Sequence, residues 1–169
     1  MVSFIQSQLG EFSSKYMNCQ SGFPAAWMIS SNATEVTIDF LLATVQGYNP
    51  MIHPEKFMTD FDWGQINSIR RRYPLSQVLL CWWHVLHAWI QHIVVAHYCE
   101  LWELLKNWIR IEEEATFEAQ WLKIQKLAPE SFIEYITRYW MPVKNMWSGV
   151  ERKRRNILQL CDTNMLVEA

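Results

Sequence analysis

Apolar residues along this chain follow two different rhythms. In the first hundred positions, short apolar runs alternate with stretches of helical period. Ala25-Ala26-Trp27-Met28-Ile29, Lys56-Phe57-Met58-Thr59 and the run from Ser76 to Leu80 are too short for helices and predict buried strands. Asn32 followed by Glu35 is a capping box that opens a helix to about Gln46, with Val36, Phe40 and Ala43 as its apolar face and Gly47 as its stop. Asp62 with Gln65 is a second capping box. It opens a helix through Arg72, with Trp63, Ile66, Ile69 and Tyr73 on one face, and Pro74 ends it. A third helix follows Cys81. Strands alternating with helices predict an α/β architecture with a parallel sheet.

From Glu100 onward the rhythm is helical throughout. Leu101, Trp102, Leu104, Leu105 and Trp108 form one stripe; Phe117, Trp121 and Ile124 form a second; Phe132, Tyr135, Ile136 and Tyr139 form a third. Glu112-Glu113-Glu114 marks a helix start, Ala128-Pro129-Glu130 turns into another helix, and a last helix is predicted from about Met141 to Leu160. The expected organisation is a weakly patterned segment over 1–21, with a scrap of strand at Val2 to Ile5. An α/β core over 22–99 and a helical block over 100–161 follow. Residues 162–169 read as a helix start cut off after about one turn, too short to offset helix nucleation.

Composition narrows the reading. Half of the 169 residues are hydrophobic and the formal net charge is -2, so one domain with a substantial core is expected and any nucleic-acid surface must be local. Ten tryptophans point to aromatic helix packing. Cys19, Cys81, Cys99 and Cys161 follow no CxxC spacing, which fits a reducing compartment better than a disulfide framework. Residues 1–20 lack a signal-peptide pattern, so the sequon at Asn32-Ala33-Thr34 reads as a helix start. Leu75 to Cys99 carries no Asp, Glu, Lys or Arg. Its four histidines and Gln91, with 84, 87 and 91 on one helical face, favour a buried strand and helix over a membrane span.

Candidate chemistry gathers between Asp60 and His84. Asp60 follows an apolar run at a strand tip, where open α/β sheets collect functional side chains. Asp62 is explained as a helix cap, which leaves Asp60 without an evident structural task. Cys81 and His84 are spaced like half a zinc site, but a buried thiol and a hydrogen-bonded core histidine are the commoner outcome. Arg70-Arg71-Arg72 and Arg152-Lys153-Arg154-Arg155 are either solvated helix faces or phosphate contacts, and the second resembles a nuclear-localisation cluster.

In order, Thr59-Asp60, Asn67-Ser68-Ile69, Tyr73-Pro74, Cys81-Trp82-Trp83-His84 and Thr163-Asn164-Met165-Leu166-Val167-Glu168 resemble the catalytic domain of Mutator-like element (MULE) transposases. Gly22 to Ile29 is similar to that family's third strand. The resemblance spans about residues 21–169. It implies an RNase H-like α/β fold, a mixed sheet truncated by loss of its first strand, with a large all-helical insertion before the last acid. It also implies DDE chemistry, in which carboxylates hold Mg²⁺ for DNA strand cleavage and transfer, with Asp60 and Glu168 as the catalytic and metal-binding acids and Cys81 and His84 as the family's C-x-x-H pair. The implied partner is transposon-end DNA in the nucleus, with Arg70, Arg71, Arg72, Arg152, Lys153, Arg154 and Arg155 as candidate contacts. A homo-oligomer is left open; no membrane and no small-molecule substrate are expected. Residues 1–21 contain no Asp, so the first acid is missing and the chain is expected to be inactive on its own. The alternatives are a domesticated DNA-binding or regulatory protein, and a helical interaction module exposing Trp102, Trp108, Trp121, Trp140 and Trp147.

Overall fold

A computed structural model of the chain describes residues 3–5 and 28–152. The chain forms two compact units that part between Cys81 and Trp82.

The first unit is built on a parallel strand pair, β2 (Lys56–Thr59) and β3 (Gln77–Leu80), with β1 (Ser3–Ile5) antiparallel on the other side of β2. Phe57, Met58 and Thr59 of β2 are buried, as are Val78, Leu79 and Leu80 of β3, so consecutive residues are covered on both faces, as short runs without polar alternation require. A parallel pair needs a crossover. Helix α2 (Trp63–Arg72) supplies it, burying Ile66 and Ile69, while Tyr73 packs on Phe57 with ring centroids 5.0 Å apart. Trp63, expected on that buried face, is half exposed.

Helix α1 (Glu35–Tyr48) departs from its expected form. Its cap is Thr34, whose Oγ1 accepts from the Thr37 amide, while Asn32 Oδ1 accepts from the Thr37 hydroxyl at 2.9 Å. Gly47 lies inside the helix and Asn49 closes it. The buried residues are Ile38 and Leu42, not Val36 and Phe40, which are 78% and 67% exposed. The helix is therefore turned roughly half a revolution from its predicted setting. The cause is its partner. Gly64 and Ser68, one turn apart on α2, let the α1 backbone approach closely. The Ser68 hydroxyl donates to the Glu35 carbonyl at 3.1 Å, and a Cβ on Gly64 would lie 3.4 Å from the Glu35 backbone.

The described residues do not form the expected mixed sheet of an RNase H-like fold. Most of the described chain is helical, and its sheet has three strands of three or four residues, only two of them parallel. Met28 and Ile29, the described end of the predicted strand 25–29, are in no strand, and Ile29 is fully exposed. The remaining apolar runs pack helix on helix. The uncharged stretch from Leu75 to Cys99 is divided among β3, α3 (Trp82–Ile90) and a 3-10 turn, Val95–His97. Among the described residues, no helix is long and apolar enough to cross a membrane.

The second unit joins α3 to α4 (Cys99–Trp108), α5 (Glu114–Leu127), α6 (Glu130–Tyr135), a π-helical turn (Ile136–Trp140), a 3-10 turn (Met141–Val143) and two one-turn helices, α7 (Lys144–Trp147) and α8 (Gly149–Arg152). Glu113 caps α5, accepting from the Ala115 and Thr116 amides. Trp89 is fully buried, and its ring meets those of Trp108, Trp140 and Trp147 at 5.7, 5.8 and 5.1 Å, the last two edge-on. Trp121 stacks on Trp108 at 4.9 Å. Two of the indole N–H groups inside this core donate to backbone carbonyls, Trp108 to Phe117 and Trp147 to Trp140. Trp108, Trp121, Trp140 and Trp147 are thus core residues and offer no interaction face, and Trp102 is half buried.

The helix expected from Met141 to Leu160 breaks at Ser148. Gly149 N–H donates to the Ile109 carbonyl at 2.8 Å, and a Cβ there would stand 2.7 Å from backbone atoms of Arg110 and Ile111. Backbone on both sides cannot yield as a side-chain tip can. Gly149→Ala is expected to destabilise the protein by about 1–3 kcal/mol, seen as a lower urea midpoint; an unchanged midpoint would show that the 109–111 segment can move aside.

Candidate functional site

Parallel register brings two of the candidate residues to one end of the sheet. Thr59 pairs with Leu80, and the Cys81 amide donates to the Thr59 carbonyl at 2.9 Å, extending the ladder by one residue. Asp60 and Cys81 therefore leave β2 and β3 side by side at the carboxyl end of the pair. Asp60 is half buried. Cys81 is fully buried with a free thiol, in an apolar cluster with Met58 and Leu79.

The two neighbouring acids have different tasks. Asp62 Oδ1 accepts from the Gln65 amide at 2.8 Å and caps α2. Only half of the capping box forms, because the Gln65 side chain turns to accept the Thr59 hydroxyl instead of reaching back to the Asp62 amide. That bond ties the strand residue before Asp60 to the first turn of α2. A tight turn, with the Asp62 amide donating to the Asp60 carbonyl at 2.8 Å, fixes the backbone between them. Thr59 and Gln65 are thus positioning residues for Asp60. The sequence carries no separate sign of this bond, because Gln65 three residues after Asp62 equally predicts a complete capping box.

His84 lies in the other unit, on α3. The exposed ring of Trp83 meets it edge-on at 4.8 Å and stacks on His87 at 4.8 Å. Trp82, between Cys81 and Trp83, anchors the helical unit: its indole N–H donates to the Trp147 carbonyl at 2.6 Å, and the guanidinium of Arg152 lies 4.4 Å from its ring centre. Arg152, a candidate DNA contact, is buried in this position. Lys153, Arg154, Arg155 and Glu168 lie outside the described residues, as does the Thr163 to Val167 motif.

The first basic cluster is drawn into the fold. Arg72 donates through Nε to Asp39 Oδ1 at 2.9 Å and Arg71 pairs with Glu35, with a second contact to Asp39 at 3.4 Å. Glu35 and Asp39, one turn apart on α1, are the partners that the sequence reading passed over; their spacing opposite two adjacent arginines was the available sign. Arg70 is exposed.

A Mg²⁺ pair needs many oxygen ligands, several of them carboxylates. At the sheet end, one Asp caps a helix and the Cys is a buried thiol among apolar groups. Among the described residues no three His, Cys, Asp or Glu side chains gather to hold a metal. This donor set does not fit a two-metal centre, and no metal-dependent step follows from it. Scanned against protein-family models, curated proteins and solved structures, the chain matches none.

The α1–α2 ion pairs make stability depend on pH. Asp39's carboxyl is held below its ordinary range, first by the Arg72 hydrogen bond and further by the charges of Arg72 and Arg71, with desolvation opposing. A carboxylate with a depressed folded pKa contributes stability that is fully present above its unfolded value, about 3.9. That contribution is lost as pH falls through the folded value. Asp39→Asn is expected to lower the urea midpoint at neutral pH and to flatten its fall below about pH 4; parallel midpoint curves for the two proteins would rule the clamp out as a source of acid sensitivity.

Proposed function

We propose that this chain descends from the catalytic domain of a MULE transposase and performs no DNA strand transfer by itself. The observation that carries the reading is the ordered set of motifs, from Thr59-Asp60 through Cys81-x-x-His84 to the Thr-Asn-x-x-x-Glu ending at Glu168. It rests on those motifs and not on the fold. The position of Asp60 supports it: a half-buried acid at the carboxyl end of a parallel strand, braced from both sides, with the adjacent Asp62 spent on a cap. In such a site Asp60 and Glu168 would be the acids that meet a hard cation beside DNA phosphates. Residues 1–21 contain no Asp, so within this chain the acid set is short. On this reading the partner is transposon-end DNA and the place of action is the nucleus, with Arg70, Arg71 and Arg72 as the candidate contacts on the first unit.

The test is incubation of the purified chain with transposon-end duplex and Mg²⁺, read as nicked product. No nicking is expected from the chain or from Asp60→Asn. Mg²⁺-dependent nicking that Asp60→Asn abolishes would overturn the proposal of inactivity. Salt-dependent DNA binding, lost on charge reversal of Arg70 with Lys153, Arg154 and Arg155, would favour the domesticated DNA-binding reading instead.

A further inference from the structure

Helix α1 is apolar on two sides, and only one of them is used. Ile38 and Leu42 face the interior. Roughly opposite, Val36, Phe40, Ala43, Thr44 and Gly47 form a stripe at helical spacing with no charged residue in it. Val36, Phe40, Thr44 and Gly47 are exposed, Val36 and Phe40 strongly so. We propose that this stripe is the contact between two copies of the chain, paired antiparallel across a two-fold axis near Ala43 and Thr44.

The choice of a second copy rests on the shape of the stripe. An isologous interface has to be complementary to itself, so each protrusion must find a recess at the position related by the two-fold. An axis between positions 43 and 44 sets residue 40 of one helix opposite residue 47 of the other. Phe40 is the large side chain of the stripe and Gly47 its smallest residue, with nothing within 4 Å of where a Cβ would stand. Each Phe40 then fills the recess over the partner's Gly47, and Ala43 meets Thr44 at the centre, where small residues let the helices approach closely.

Two further features remove the usual costs. The Thr44 hydroxyl already donates to the Phe40 carbonyl at 2.9 Å, so covering it leaves no donor unmade. The acids of α1, Glu35 and Asp39, are held by Arg71 and Arg72, away from the stripe, so no like charges meet across the axis. The fourteen residues of α1 give a strip only ~21 Å long. One helix per copy buries less than the ~1,200 Å² of a stable complex. The dimer is accordingly a weak one that dissociates on dilution.

Sedimentation of the full chain from about 1 to about 300 μM tests this, alongside thermal midpoints measured on dilute protein. The wild type is expected to pass from monomer to dimer over that range. Phe40→Glu puts a carboxylate into the recess over the partner's Gly47 and should remain monomeric throughout. Gly47→Leu should also remain monomeric by filling the recess, while its midpoint holds or rises, since leucine favours a helix over glycine and meets open space in the monomer. Loss of dimer with undiminished stability supports the proposal. A wild type that stays monomeric, a dimer that survives both substitutions, or midpoints that fall with both variants, the sign of a face covered within one chain, would each overturn it.

Discussion

The parallel pairing of β2 with β3 is the constraint from which the first unit follows. Two strands running the same way cannot be joined by a hairpin, so the chain must cross over between them, and α2 is that crossover. The helix can lie on the pair only if its first turn and last residue are both held. Asp62 and Gln65 hold the first turn, one by capping it and the other by accepting from Thr59. Tyr73, packed on Phe57, holds the end. The same register that demands the crossover carries Asp60 and Cys81 to one end of the pair. The placement of the candidate acid is thus a consequence of strand direction and not a separate design.

Once α2 is placed, α1 has little freedom. The recess over Gly64 and Ser68 sets how closely it approaches, and the pairs from Arg71 to Glu35 and Arg72 to Asp39 set its rotation. Such ion pairs, partly open to solvent, contribute little net stability each. Their effect is specificity: turning α1 to bury Val36 and Phe40 would carry both acids away from the arginines. The orientation that keeps the charges together is the one that leaves an apolar stripe outward. Two arginines of a basic run that reads in sequence as either a solvated face or a phosphate-binding surface have in this way become part of the helix interface.

What was legible in the sequence was local. The strands β2 and β3, the α2 helix with its Asp62 cap and Pro74 stop, the start of α5 at Glu113 and the turn into α6 all follow from short-range pattern and capping chemistry. The facing of α1 was not, because Val36, Phe40, Ala43 and Ile38, Leu42 are two apolar stripes on one helix, and periodicity cannot rank them. Small residues and arginines twenty-five to thirty-odd positions further along the chain decide it. The break at Ser148 was hidden for a similar reason. A lone glycine inside a helical pattern carries no sign that its missing Cβ makes room for the backbone of residues 110–111. For the candidate site, the division of labour between Asp60 and Asp62 could be read from the capping spacing. The bracing of Thr59 by Gln65 could not, because the same spacing equally predicts a complete capping box.

The Cys-Trp-Trp-His segment bears a different load from the one its outer residues suggest. Cys81 ends the strand pair in an apolar cluster with Met58 and Leu79, and His84 lies on α3 beside Trp83. The residues between them do the structural work. Trp82 turns inward, donating to the Trp147 carbonyl with Arg152 against its ring, whereas Trp83 turns outward to stack on His87. Burying an indole with its N–H satisfied and a guanidinium beside it fixes where α3 begins, so the last strand of one unit passes into the first helix of the next without a linker. The inward packing of Trp82 within the helical unit is thus a structural reason for the segment that needs no metal.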